Sequence, residues 1–112
     1  MNVTIPIRTV SESNARGHWS KRAKRARSQR AVAAMVLRSN CAAPKAPLSV
    51  RLTRVSPRGL DDDNLRGALK AVRDGVADWL GVDDRSPLVT WLYAQERGKP
   101  REYAVRVEVS PW

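Results

Sequence analysis

One cysteine, Cys41, and one histidine, His18, are all the thiol and imidazole this sequence has. A lone thiol excludes an intramolecular disulfide, a CxxC redox motif and a cysteine-rich zinc site, and leaves Cys41 as a packed thiol at a helix end. A lone imidazole excludes a His-rich zinc site, and the Ser, His and Asp inventory offers no recognisable triad. No apolar run approaches the roughly 20 residues of a membrane span. The start MNVTIPIRTV lacks the basic opening and long apolar stretch of a signal peptide. The expectation is a cytoplasmic chain with no membrane partner and no organic cofactor. Internal repeats and low-complexity segments are also missing.

Acids are scarce in the first half. Up to residue 56 there are 12 Lys/Arg against one acid, Glu12, and afterwards nine Lys/Arg against ten acids. The net charge of +10 and a pI near 11.0 favour a polyanionic partner, of which nucleic acid is the commonest. Apolar content of 42% and charged content of 29% are ordinary for a globular protein, and 112 residues suit one domain spanning 1–112.

Hydrophobic periodicity sets out the elements. Val3, Ile5 and Ile7 alternate with polar residues as in a half-buried strand, and a polar loop runs from Thr9 to Trp19. Ser20 to Ser39 lacks Gly and Pro and reads as a helix, basic at its start and apolar at its end, before Pro44 and Pro47. Leu48, Val50 and Leu52 mark a second strand that runs to the turn Ser56-Pro57-Arg58-Gly59. Leu65, Leu69, Val72, Val76 and Leu80 recur at spacings of three and four with Gly81 behind them, predicting a helix over Asn64 to Leu80. Leu88 to Gln95 and Tyr103 to Val109 read as strands joined at Arg97-Gly98-Lys99-Pro100 into a hairpin. The fold class is therefore α+β in the order β-α-β-α-β-β, a small mixed sheet with two helices packed on it.

Seven of the ten later acids (Asp61, Asp62, Asp63, Asp74, Asp78, Asp83, Asp84) fall between residues 61 and 84. In a chain built to attract phosphate, such a cluster repels the ligand unless a cation lies between them. Helix capping explains one or two aspartates, but three in a row are harder to explain so, because like charges side by side cost stability. If the chain is still extended there, Asp61 and Asp63 point to one side and could share a metal. Mg²⁺, or Mn²⁺, takes hard oxygen ligands from one or two carboxylates plus phosphate oxygens and water.

On the following helix, Gly67, Lys70 and Asp74 stand nearly in line above Asp63, opposite the apolar stripe. Lys70 could reach a phosphate held at the metal, or simply pair with Asp74 four residues on. Asp83 and Asp84 lie roughly 25 Å along the helix from its start at 1.5 Å per residue. Asp84 therefore joins Asp61 only if the chain returns, with the strand after Asp84 running back beside the strand before Asp61. The run is no calcium hand, since Leu65 and Arg66 stand where that loop needs an oxygen ligand and a glycine.

The stretch Leu60-Asp61-Asp62-Asp63-Asn64-Leu65, followed by Lys70, Asp74 and Asp83-Asp84, resembles the RusA-like Holliday-junction resolvases of bacteria and their phages. That family's pattern is D-x-D-N-L, a lysine in the helix and a later aspartate. Ile5-Pro6 leading to Ser13-Asn14 is similar to the family's first strand and Ser-Asn loop, and the last two strands to its closing hairpin. The resemblance implies an α+β homodimer that binds four-way DNA junctions and, with Mg²⁺, makes paired nicks leaving 5′-phosphates. By position, Asp61, Asp63 and Asp84 would bind the metal and Lys70 would be the catalytic lysine, with Asp74 and Asp83 as further candidates for the metal's surroundings. In the family's best-known pattern the lysine follows the second aspartate by four residues. Here Gly67 holds that place and Lys70 comes seven after Asp63, although Lys70-Ala71-Val72-Arg73-Asp74 keeps the family's lysine-to-aspartate spacing, as a three-residue insertion would produce.

Between residues 16 and 30 lie Arg16, Lys21, Arg22, Lys24, Arg25, Arg27 and Arg30 with no acid among them. As a helix they cover more than one face, suiting a phosphate-contacting surface that gives affinity without base specificity. The leading expectation is a structure-selective endonuclease on branched DNA. A non-catalytic DNA-binding protein of the same fold, or a general nuclease on branched or single-stranded DNA, would share these features.

Overall fold

A computed structural model describes residues 1–10 and 19–112. The elements are β1 (Asn2–Ile5), α1 (Trp19–Asn40), β2 (Leu48–Ser56), α2 (Asp62–Leu80), β3 (Val89–Arg97) and β4 (Ala104–Pro111). Among the described residues two helices thus accompany one four-stranded mixed sheet, the α+β class expected from the periodicity.

The sheet order is β1-β4-β2-β3. β4 runs antiparallel to both β1 and β2, whereas β3 lies parallel to β2 on its other side. The hairpin expected between the last two strands does not form. Alternation says which residues face inward but not which strand is the neighbour. Val105, Val107 and Val109 are buried and give β4 an interior position. β3 has Thr90, Leu92, Gln95, Glu96 and Arg97 exposed, the composition of an edge strand. The unit β2-α2-β3 is instead a parallel crossover through a helix.

One face of the sheet makes the core. Leu48, Val50 and Leu52 of β2 lie in register with Pro111, Val109 and Val107 of β4 and with Val89, Trp91 and Tyr93 of β3. Against them pack Val3 and Ile5, the α2 stripe Leu65, Leu69, Val72 and Val76, and Ala33 and Leu37 of α1. α1 buries Gln29, Ala33, Ala34 and Leu37, so its second half is anchored while its basic first half is largely exposed. Cys41 follows directly after α1, half-buried at the margin of the core. Among the described residues, no helix is long and apolar enough to cross a membrane.

α2 begins two residues earlier than the periodicity suggests, because Asp61 is its cap: the Asp61 side chain accepts the Asn64 N–H at 3.0 Å. It ends at Gly81, whose φ of 71° places it in the left-handed region and whose N–H reaches back to the carbonyls of Ala77 and Asp78. The two helices meet at Gly75. A Cβ there would lie 2.5 Å from the Arg30 carbonyl oxygen and 2.8 Å from the Ala33 Cβ.

Gly75→Ala tests that crossing. Alanine gains up to about 1 kcal/mol in helix propensity, but overpacking against a backbone carbonyl costs about 1–3 kcal/mol. The expected outcome is a net loss of about 1 kcal/mol, read as a lower urea midpoint at unchanged slope. An alanine variant as stable as the parent would show that the helices do not need this close approach.

Candidate active site and nucleic-acid interface

The acidic run is set by what holds the chain between β2 and α2. Arg54 sits on the inward-facing register of β2 after Leu48, Val50 and Leu52, and is buried without a carboxylate partner among the described residues. Its guanidinium donates to the Thr9 hydroxyl at 3.0 Å, the Thr9 carbonyl at 3.3 Å and the Arg58 carbonyl at 2.7 Å. Burial pushes the Arg54 pKa down, and the hydrogen bonds offset part of that desolvation. From β3, the Gln95 amide accepts the Leu60 N–H at 2.9 Å and donates to the Leu60 carbonyl. Leu60 is thereby clamped on both sides of its backbone, immediately before Asp61.

Only Asp61 is extended, with φ −69° and ψ 167°. Asp62 and Asp63 form the first turn of α2, so the expectation that Asp61 and Asp63 share one side of an extended segment is corrected. Carboxylates in a helical first turn favour the positive end of the helix dipole, and the cap bond of Asp61 starts the helix before Asp63 is reached. Asp61 has one oxygen committed to Asn64; all three aspartates are exposed.

Up the helix, Asp63, Gly67, Lys70 and Asp74 follow one another as the spacing predicted. A Cβ built on Gly67 meets nothing within 4 Å, so the gap between Asp63 and Lys70 is open. Lys70 pairs with Asp74 at 3.4 Å, with the lysine side chain 69% exposed and the aspartate 21%. Such a pair contributes a few tenths of a kcal/mol at about four residues' spacing. That is too little to hold the ammonium away from a bound phosphate.

Lys70 and Gly67 stand where two clefts meet. On the α1 side an open groove of ≈ 380 Å³ is lined by Arg22, Arg27, Arg30, Lys70 and Asp74 over a floor of Ala26, Ala68 and Ala71. On the β3 side a cleft of ≈ 480 Å³ is lined by Arg66, Lys70, Arg73, Asp84, Arg85 and Tyr93. A third cleft joins Lys70, Asp74, Asp83, Asp84 and Arg30. The chain after α2 therefore folds back along the helix, bringing Asp84 beside its middle turns.

β3 does run beside β2 after Asp84, as closing the site was expected to require. Its direction is parallel, however, so Val89 lies next to Leu48 at the end of β2 remote from Asp61. The residue that draws Asp84 back is Arg73, which the motif reading missed. Its guanidinium donates to the Asp84 carbonyl at 2.6 Å and to the Tyr93 hydroxyl at 2.7 Å, and stacks 4.7 Å from the Trp91 ring centroid. Arg73 Nε is buried with no hydrogen-bond partner, and the nearest Asp84 carboxylate oxygen is 4.0 Å away. Asp83 serves the turn: its carboxylate accepts the Arg85 N–H at 2.8 Å, and that bond holds its pKa below the ordinary carboxylate value.

Of the basic segment, Lys21, Arg22, Lys24 and Arg27 are exposed on α1, while Arg25 is half-buried and already has a partner. Arg16 lies outside the described residues, as do His18 and the Ser13-Asn14 pair. Arg30 is exposed but not free: it donates twice to the Asp78 carboxylate, at 2.6 and 2.8 Å, tying α1 to α2. That contact raises the Arg30 pKa further and holds Asp78 below the usual carboxylate range.

The donor set is all oxygen, the chemistry that Mg²⁺ or Mn²⁺ takes. Among the described residues no three His, Cys, Asp or Glu side chains converge as a ready cage, so Asp61, Asp63 and Asp84 are not gathered into one ligand group. Magnesium needs less, since one or two carboxylates suffice when phosphate and water complete the octahedron.

No family model matches the chain. It is similar to an uncharacterized protein of Xylella fastidiosa (strain Temecula1 / ATCC 700964), with 39% identity over 95 residues, covering 75% of this chain and 60% of that protein. The chain thus spans about three fifths of the length of the relative it matches.

The Arg30–Asp78 link predicts a pH-dependent increment of stability. Because the folded pKa of Asp78 is lowered, the increment is fully present above the unfolded value near 3.8 and is lost as pH falls through the lower folded value. Both side chains are partly exposed, at 51% and 36%, so solvent screening holds it to about 0.5–1 kcal/mol. A double-mutant cycle of Arg30→Gln and Asp78→Asn by urea unfolding should return that coupling at pH 7 and a smaller one near pH 2. Equal coupling at both values would contradict an ionic link.

Proposed function

We propose that this chain is a RusA-like, Mg²⁺-dependent endonuclease that acts as a homodimer on branched DNA in the cytoplasm, resolving four-way (Holliday) junctions by paired nicks that leave 5′-phosphates. The observation that carries the reading is the meeting of two cation-lined clefts at Gly67 and Lys70, with the acidic first turn of α2 at one end and Asp84 alongside. A purely electrostatic DNA-binding surface has no use for carboxylates at its centre. A phosphodiester hydrolase needs both signs there, cations to hold the backbone and oxygen donors to hold a metal.

Asp63, with the uncommitted oxygen of Asp61, would offer the carboxylates for the ion, phosphate and water completing its shell, while Asp84 stands farther up the helix beside Lys70. When bound, the ion would neutralise a phosphate oxygen and supply a water acidic enough to attack phosphorus at neutral pH. The other tasks fall to the chain's own groups. Lys70 leaves Asp74 at little cost to meet a non-bridging phosphate oxygen. Gly67 leaves the space in which that phosphate sits, and Arg22 and Arg27 take the phosphates that follow along the groove. The water oxygen bonds to phosphorus, the bond from phosphorus to the 3′ oxygen breaks, and a proton ends on that 3′ oxygen.

A second reading is favoured by one observation, the dispersal of the three carboxylates in the single chain: a non-catalytic DNA-binding protein of the same fold. A synthetic four-way junction, with and without Mg²⁺, separates the readings. The expected result is symmetric nicks that vanish in chelator and in Asp63→Asn, with Lys70→Ala slowing the cut on the order of a hundredfold. Tight binding without cleavage in Mg²⁺ or Mn²⁺ would leave the second reading, and equal cutting of junctions and linear duplex would mark a general nuclease.

A further inference from the structure

The end of the sheet next to the acidic run carries cations to which neither cleft of α2 gives a role. β2 and β3 are parallel, so Ser56 and Arg97 finish side by side, and the Gly98 N–H donates to the Ser56 carbonyl at 2.9 Å. A cleft of ≈ 480 Å³ opens between the 56–59 turn and the end of β3, lined by Ser56, Pro57, Arg58, Gly59, Gln95, Glu96 and Arg97. Just beyond it, Lys99 and Arg101 project from the turn into β4. Gln95, which clamps Leu60 beside Asp61, belongs to the same wall, so this surface borders the first turn of α2.

Three features distinguish the patch from a merely solvated one. The side chains of Arg58, Arg97, Lys99 and Arg101 make no hydrogen bond or ion pair with other described residues, whereas the nearby acids are committed: Glu96 pairs with Arg106, and Glu102 accepts the Lys99 N–H at 2.8 Å. The turn is fixed, with the Glu102 N–H on the Lys99 carbonyl at 3.0 Å and the space at Gly98 tight, where a Cβ would lie 3.1 Å from the Glu102 carbonyl oxygen and from a Val55 methyl. Arg101 holds φ at 65°, a left-handed conformation that glycine or asparagine adopts with less strain. A position whose backbone suits glycine but which carries an arginine points to a use for the side chain.

We infer that Arg58, Arg97, Lys99 and Arg101 form a second surface for the phosphates of a nucleic-acid backbone, engaging a different stretch of DNA from the α1–α2 groove. The inference rests on the DNA-binding reading proposed above. A branched molecule whose crossover lies against the first turn of α2 would have one arm along the α1–α2 groove and another over the sheet end. Partners along this second surface are contacted through phosphates, which fix register and carry no base information.

Anisotropy of a labelled four-way junction in chelator, titrated across salt, tests the surface without any need for cleavage. Each lost phosphate contact should flatten the plot of log affinity against log salt by about 0.9 on duplex DNA. The triple variant Arg97→Gln, Lys99→Gln, Arg101→Gly should therefore lose about two to three in slope. Arg101→Gly alone should lose about one while melting no lower than the parent, since it relieves the left-handed arginine. The variant Arg22→Gln, Lys24→Gln, Arg27→Gln serves as the comparison. Parental slopes in both sheet-end variants, with a flattened slope in the α1 variant, would overturn the second surface and leave the groove reading standing. Parental protein that binds no DNA at any salt would overturn both.

Discussion

The hydrogen bond from the Asn64 N–H to the Asp61 carboxylate turns the chain from strand into helix, and the site depends on where that happens. One residue before it, Gln95 grips both the N–H and the carbonyl of Leu60, and six residues earlier than Leu60 the buried Arg54 fastens the turn through the Arg58 carbonyl. These are polar contacts at the rim of an apolar core, where an unmade bond costs more than a made one contributes. Their combined effect is to fix the rotation of α2 about its axis. That rotation sends Leu65, Leu69, Val72 and Val76 into the core and leaves Asp63, Gly67 and Lys70 outward.

Much of this was legible because two periods do different work. The three-and-four spacing of Leu65 to Leu80 located α2, and from it the outward row above Asp63 followed. Period two located the inward faces of β2 and β4. The neighbour relation was not legible: Val105, Val107 and Val109 alternate equally well in a hairpin with β3 or between β1 and β2, and the choice is made by which strand can leave an edge exposed. Asp61 misled for a related reason. As part of an acidic triplet it suggests an extended pair with Asp63, while its cap role ends the extended chain at that residue.

The polar residues that organise the site were hidden by their type. An arginine among charged residues reads as surface, yet Arg54 occupies the fourth inward register of β2, after Leu48, Val50 and Leu52. Gln95 keeps the phase of Val89, Trp91 and Tyr93 on β3, although at the strand's end that phase is exposed. A polar residue that keeps the inward phase of its strand is the available signal, since burying it is costly unless its partners are supplied. Arg73 has no such phase signal. It adjoins the Val72 stripe on the helix flank, and its importance appears only when the chain beyond Gly81 folds back to place the Asp84 carbonyl within reach.

Charge arithmetic gives these aspartates a common logic. In a chain of net +10, acids could be scattered to balance the field, but seven lie within α2 and its exit, and each described contact of theirs ties one element to another or one turn to itself. Asp78 joins the helices, Asp61 starts α2 and Asp83 turns the chain after it. Asp63 has no such task and sits exposed one helical turn below the gap at Gly67. Asp84 is held by Arg73 twice, through its backbone carbonyl at 2.6 Å and more loosely through its carboxylate, 4.0 Å from Arg73 Nε. Asp63 has no such cation beside it among the described residues, and an exposed carboxylate placed by its helix alone is what a ligand for an incoming cation requires. Structure and chemistry therefore divide the acidic residues differently from the sequence: Asp61, Asp78 and Asp84 hold the fold, while Asp63 keeps its charge available.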